Sequence, residues 1–226
     1  MSRHASAALA AAVTVAFAGA ACTAGSDQGH GRPVPSPASS FVIPSPILSP
    51  RPFTIDDLSA VSLGRGDAPA GTEFAPQYSV DETIDQFASD AEELTALRVD
   101  GFVSGHVTLF IPPAQVADDA APVEPGQVFV QQIAGLFETA PGADSSLRRY
   151  VSNLRAFDLR RDVRISDTGL GASSEGLRGT IGGEAVTIYA WRTANLLLVV
   201  SGSGSIPPQD VRALADVMQR RADLAR

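Results

Sequence analysis

The chain has 226 residues, of which 44% are hydrophobic and 19% charged, and its formal net charge is −8. That balance describes a globular protein rather than an intrinsically unfolded one, and an acidic chain lacks the broad positive field that nucleic-acid binding needs. All 17 basic positions are arginine, which excludes Schiff-base lysines, lysine general bases and the lysine of a phosphate-binding loop.

Arg3 and His4 give the chain a polar, positive start, and Ala5 to Ala18 follow as an apolar run containing Leu9, Val13, Val15 and Phe17. The run has about the length of a signal h-region and falls short of the roughly 20 apolar residues of a membrane span. Small residues Gly19, Ala20 and Ala21 precede Cys22, the single cysteine, so no disulfide forms within the chain. The segment resembles the lipobox of bacterial lipoproteins, with Gly19 standing where leucine is usual. The resemblance implies that residues 1–21 are a removed signal and that the Cys22 sulfur carries a diacylglyceryl group. The alternative is ordinary cleavage after a small residue, with Cys22 an incidental thiol. Each buried methylene is worth about 0.8 kcal/mol, so two acyl chains confine a protein to a membrane surface where one barely does.

Residues 22–52 read as the lipidated cysteine followed by a disordered tether. Pro33, Pro35, Pro37, Pro44, Pro46, Pro50 and Pro52 punctuate a Ser- and Ala-rich stretch, and prolines this dense favour extended, solvated chain. Phe41, Val42, Ile43, Ile47 and Leu48 are apolar for such a segment; either part of it docks on the folded unit or the composition is incidental. Residues 53–226 read as a single domain, long enough to fold without disulfides or metal.

Within that domain, Ser79 and Glu82 form a capping-box pattern, and Val80, Ile84, Phe87, Ala88, Ala91, Leu94 and Leu97 recur at helical spacing up to Gly101. Phe102 to Ile111 alternates like a strand. Pro112 to Gly126 is a loop, Gln127 to Thr139 a second strand, and Ser145 to Phe157 a helix with Leu147, Tyr150, Val151, Leu154 and Phe157 on one stripe. Val163 to Ile165 and Glu175 to Thr180 are short strands. Ala185 to Val200 is a hairpin turning at Thr193-Ala194-Asn195, with Leu196 to Val200 apolar enough to be central. Pro207 and Pro208 open a last helix, Gln209 to Leu224. The sum is an α+β domain: an antiparallel sheet with helices packed mainly on one face.

Three segments carry a resemblance. Asp67-Ala68-Pro69-Ala70-Gly71, Gly169-Leu170-Gly171, and Ala190-Trp191-Arg192-Thr193-Ala194-Asn195 before an apolar strand are similar to a broad group of uncharacterised actinobacterial lipoproteins, across about Leu63 to Val200. The group implies an envelope location and a sensor-like or PsbP/Mog1-like α+β domain, and it supplies no catalytic residue.

Candidate chemistry is sparse. His106 is the one histidine of the folded region and shares a strand face with Ser104 and Thr108, so a hydrolase using His106 with Ser104, or with an acid brought near by the fold, competes with a structural histidine. Asp118, Asp119 and Glu124 offer oxygen ligands for a cation but match no calcium loop. One histidine and no further cysteine disfavour zinc, and no cofactor is implied. Gly179-Thr180-Ile181-Gly182-Gly183 reads as a turn and Ser201-Gly202-Ser203-Gly204-Ser205 as a loop, neither followed by a phosphate-binding lysine.

Charge is uneven. Residues 79–127 carry ten acids and one arginine, whereas 143–165 carry Arg148, Arg149, Arg155, Arg160, Arg161 and Arg164 against three aspartates. Arg148, Arg149, Arg160 and Arg161 could meet lipid headgroups or anionic wall polymers, or pair with the acidic helix. Trp191 with Arg192 could stack on a sugar or peptide, or pack at a hairpin end. The expectation is a membrane-anchored, extracytoplasmic, non-catalytic module for an envelope protein, wall polymer or lipid. A surface hydrolase and a lipid carrier with Leu196 to Val200 lining a cavity are the alternatives.

Overall fold

The computed structural model describes residues 51–116 and 128–226. The signal, Cys22 and the tether as far as Pro50 lie outside the described residues, as do Asp118, Asp119 and Glu124. In chain order, α1 (Ile55–Val61) leads to the short strands β1 (Glu73–Phe74) and β2 (Val80–Glu82), then to α2 (Ile84–Phe87) and α3 (Ala91–Val99). Next come β3 (Phe102–Ile111), a single turn α4 (Pro113–Val116), β4 (Phe129–Phe137) and the long α5 (Ala140–Asn153), which runs on into a π-helical turn at Leu154–Asp158. A meander of β5 (Arg160–Ile165), β6 (Ser173–Ile181), β7 (Glu184–Thr193) and β8 (Leu196–Ser203) precedes α6 (Pro208–Leu224).

All eight strands join one antiparallel sheet in the order β1-β3-β4-β8-β7-β6-β5, with β2 sharing the outer edge of β3. This is the α+β antiparallel architecture that the strand patterns imply. β8 lies at the centre, between β4 and β7, because a strand apolar on both faces needs cover on both. Its side chains alternate between two cores. Leu196, Leu198 and Val200 meet α1 and α6 through Leu58, Val61, Leu214 and Met218. Leu197 and Val199 meet α5 and α3 through Leu147, Val151 and Leu97. By number the helices gather on the second face, where α2, α3 and α5 lie, while α1 and α6 cover the first.

One continuous helix from Val80 to Leu97 is not formed. Ser79 does not open it: the capping box belongs to Thr83 and Gln86, whose side-chain oxygen accepts from the Thr83 N–H at 2.9 Å. Asp90 then caps α3, accepting from the Glu92 and Glu93 N–H groups at 2.8 Å each. A second strong cap seven residues after the first restarts the helix there, and Val80–Glu82 pairs with β3 instead. Ser201 to Ser203 is likewise strand rather than loop. Gly202 is required there because a Cβ would sit 2.5 Å from Val211 of α6.

The chain enters the domain through two fastenings. Arg51 grips Asp57 with both nitrogens, at 2.7 and 2.8 Å, and donates to the Ala225 carbonyl at 2.7 Å. Two residues on, the backbone of Phe53 is held by the Asn195 amide. The Arg51 guanidinium, aided by the Thr54 N–H and hydroxyl, holds the Asp57 carboxyl well below the usual carboxylate range despite its burial. A depressed folded-state pKa stabilises the fold above the unfolded value of about 4 and is lost as pH falls below it. Melting temperature should therefore fall below about pH 4 in the natural chain, and less steeply in Arg51→Ala. Identical acid limbs in thermal melts of the two would refute this assignment.

Candidate ligand-binding cleft

α5 leans away from the β5–β6 edge and leaves an open cleft of about 820 Å³, within the size range of small-molecule sites. One wall is a stripe of α5 and the turn after it: Asp144, Leu147, Arg148, Val151, Ser152, Arg155 and Ala156. These recur every three or four residues, the spacing of one helix face. The other wall is Arg164 of β5 with Ser173, Ser174 and Glu175 of β6.

Charge in the cleft is organised around two carboxylates. Asp144 accepts from the Ser173 hydroxyl at 2.8 Å and is flanked by Arg148 at 2.9 Å and Arg192 at 3.4 Å. The Ser173 hydrogen bond first, then the two guanidiniums, keep its carboxyl below the ordinary range against the opposing effect of burial. Glu175 is met by Arg164 at 2.7 Å and by Arg155 at 3.8 Å. Arg155 also reaches Asp162 at 3.3 Å. Ion pairs this exposed contribute little stability, so they orient the guanidiniums without consuming them.

The six candidate site residues do not assemble together. Arg148 lines the cleft, and Arg192 stands behind Asp144. Arg149 turns away to Asp100 at 2.5 Å, a pairing with the acidic segment of the kind the charge pattern suggests. Arg160 and Arg161 lie on the exposed outer strand β5 and do not line the cleft. Trp191 is 0% exposed and packs in the core with α6, so it offers no stacking surface. Arg155, Arg164 and Glu175 complete the cleft instead; the arginine run in the sequence contained the first two, but nothing local pointed to β6 as their partner.

The three segments that carry the lipoprotein resemblance serve packing. Asp67 receives the Gly64 N–H at 2.7 Å and Arg221 of α6 at 2.9 Å. Gly171, in the left-handed region at φ 54°, lies against Trp191 and Arg192: a Cβ would fall 2.2 Å from the Arg192 carbonyl oxygen and 2.8 Å from the indole. Ala172 N–H bonds that same carbonyl at 2.8 Å, so the second and third segments meet.

No protein-family model matches the sequence, and a search of curated proteins finds no match. Among solved structures, the extracellular domain of PknH from Mycobacterium tuberculosis is similar, with a TM-score of 0.48 and 12% identity over 77% of this chain and 98% of that one. A likeness this slight passes neither ligand nor activity from one chain to the other.

Elsewhere, His106 Nδ1 lies 2.6 Å from Asp81 Oδ1, its cross-strand partner in the β2–β3 register. The fold thus brings an acid to Nδ1 of the imidazole, and among the described residues no hydrogen bond joins His106 to the Ser104 hydroxyl. Leu196 to Val200, the proposed wall of a lipid cavity, is consumed by the two cores; it lines neither the cleft nor a shallower hollow of about 530 Å³ beside Phe53 and Ile55. Among the described residues, no helix is long and apolar enough to cross a membrane, and no group of three or more His, Cys, Asp or Glu side chains could hold a metal ion.

Proposed function

We propose that the chain is a cell-envelope lipoprotein, anchored through Cys22 on the extracytoplasmic face, whose domain binds a ligand in the α5–β6 cleft without catalysing a reaction. One observation carries the binding reading: the cleft is open and presents three arginines held in place by Asp144 and Glu175. The anchor rests on the apolar run and small residues before Cys22. The hydrolase alternative would build on the His106–Asp81 pair, which lies outside the cleft that carries the binding reading. Against the lipid carrier stands the filled interior around β8.

The test combines two readouts in cells producing the chain. Metabolic labelling with an alkyne fatty acid should tag the natural chain in the membrane fraction, and Cys22→Ser should be unlabelled and released. A photo-crosslinking residue placed at Ser152 in the cleft should give a discrete adduct that one at Gln219 of α6 does not. Labelling that survives Cys22→Ser removes the anchor, and equal crosslinking at both positions removes the cleft.

A further inference from the structure

Resting on that reading, we infer that the cleft takes a hydroxylated anion, a phosphate- or carboxylate-bearing sugar or polyol, such as one unit of an anionic envelope polymer. Eight of the eleven residues lining it are polar or charged, and of the three apolar ones Leu147 and Val151 are themselves buried. The cleft also exposes apolar surface, and charged and hydroxyl groups stand on both of its walls, where a hydrophilic ligand finds donors and acceptors.

The guanidiniums are placed for anions. Arg155 and Arg164 converge on the single Glu175 carboxylate, so their side chains meet around a site of carboxylate size. Each has five N–H donors in a planar fork, and Glu175 occupies only a fraction of them. Arg148 lies two helical turns earlier on α5, about 10 Å along its axis, and is 74% exposed. Guanidiniums carried at two levels of the cleft wall suit a ligand with repeating charge better than a lone phosphate. Between them Asp144 and Glu175 accept hydrogen bonds and cannot donate them, and they remain next to the bound anion. A ligand bringing hydroxyls satisfies these carboxylates, while a bare polyanion is repelled by them.

The closing experiment titrates the full chain, held in neutral-headgroup detergent, with a short glycerol-phosphate oligomer, with inorganic phosphate, with polyphosphate of matched length and with maltotetraose, each by calorimetry. The glycerol-phosphate oligomer is expected to saturate one site, with inorganic phosphate and polyphosphate about tenfold weaker and maltotetraose without heat. The double variant Arg155→Gln/Arg164→Gln should weaken the oligomer about tenfold or more, and Arg160→Gln/Arg161→Gln on the neighbouring strand by less than about threefold. A melt of each variant confirms the fold. Inorganic phosphate or polyphosphate binding as tightly as the oligomer, or equal losses in the two double variants, overturns the inference. So does an oligomer that does not bind. If the Ser152 adduct persists in that last case, the binding module stands and the ligand class alone falls; if it too is missing, both fall.

Discussion

Trp191→Ala is expected to cost about 4 kcal/mol and to lower the melting temperature by about 10 °C in a folded unit of this size. The indole is among the largest wholly buried side chains, in the core between the sheet and α6, and its removal leaves a void lined by Gly171 and by backbone that cannot collapse because the Ala172–Arg192 hydrogen bond fixes it. Trp191→Phe separates packing from polarity. The indole Nε1 is buried with no hydrogen-bond partner, so phenylalanine loses ring area and at the same time removes an unsatisfied donor, which itself costs about 1–3 kcal/mol. Phe should therefore cost less than half as much as Ala in denaturant titrations. An Ala variant as stable as the natural chain would mean that this tryptophan does not pack as described.

The second large effect is at Asn195, which is 5% exposed. Its Oδ1 accepts from the Phe53 N–H at 2.8 Å, while Nδ2 donates to the Phe53 carbonyl at 3.1 Å and to the Phe137 carbonyl at 2.8 Å. The amide orientation is dictated by its neighbours, one donor on one side and two acceptors on the other. Asn195→Ala strands three backbone groups at about 1–3 kcal/mol each, so a loss of about 4 kcal/mol is expected. Asn195→Asp is the sharper probe. It keeps the size and the acceptor but turns an oxygen toward two carbonyl oxygens, and it should be as damaging as alanine at neutral pH. Acidification protonates that carboxyl and restores one donor, so Asp, unlike Ala, should regain stability as pH falls. Equal behaviour of the two across pH would exclude the donor role.

Much of the fold was legible because it follows from local pattern. The β3 boundaries, the β7–β8 hairpin and α6 all come from alternation, a turn at Ala194-Asn195 and a paired proline at the helix start. Sequence pattern and structure part where two local signals compete. The apolar stripe from Val80 to Leu97 has helical spacing, but Val80 lies in β2 and Thr83 and Asp90 each cap a separate helix after it; the periodicity of apolar residues does not register a cap. Gly202 looked like loop chemistry because glycine is common in loops; its reason is Val211, nine residues on in sequence and pressed against it in space. The cleft was the least visible feature. Arginine density points to α5 and β5, but of Arg148, Arg149, Arg160 and Arg161 only Arg148 lines the cleft, whose walls depend on Asp144, Glu175 and the register that brings β6 alongside β5, a long-range pairing absent from composition. Trp191 beside Arg192 reads as a stacking surface in sequence, but its ring is interior.

The attachment of Phe53 to Asn195 also sets how the domain answers tension. A pull on the chain ahead of Arg51 is delivered through Phe53 to the β7–β8 turn and the end of β4, that is, to the middle of the sheet, where strands must be sheared past neighbours on both sides. Peeling, the weak mode of a sheet, would require the load to arrive at an outer strand. β5, which borders the cleft, is three strands from β8, so the cleft wall is mechanically remote from the point where the load enters.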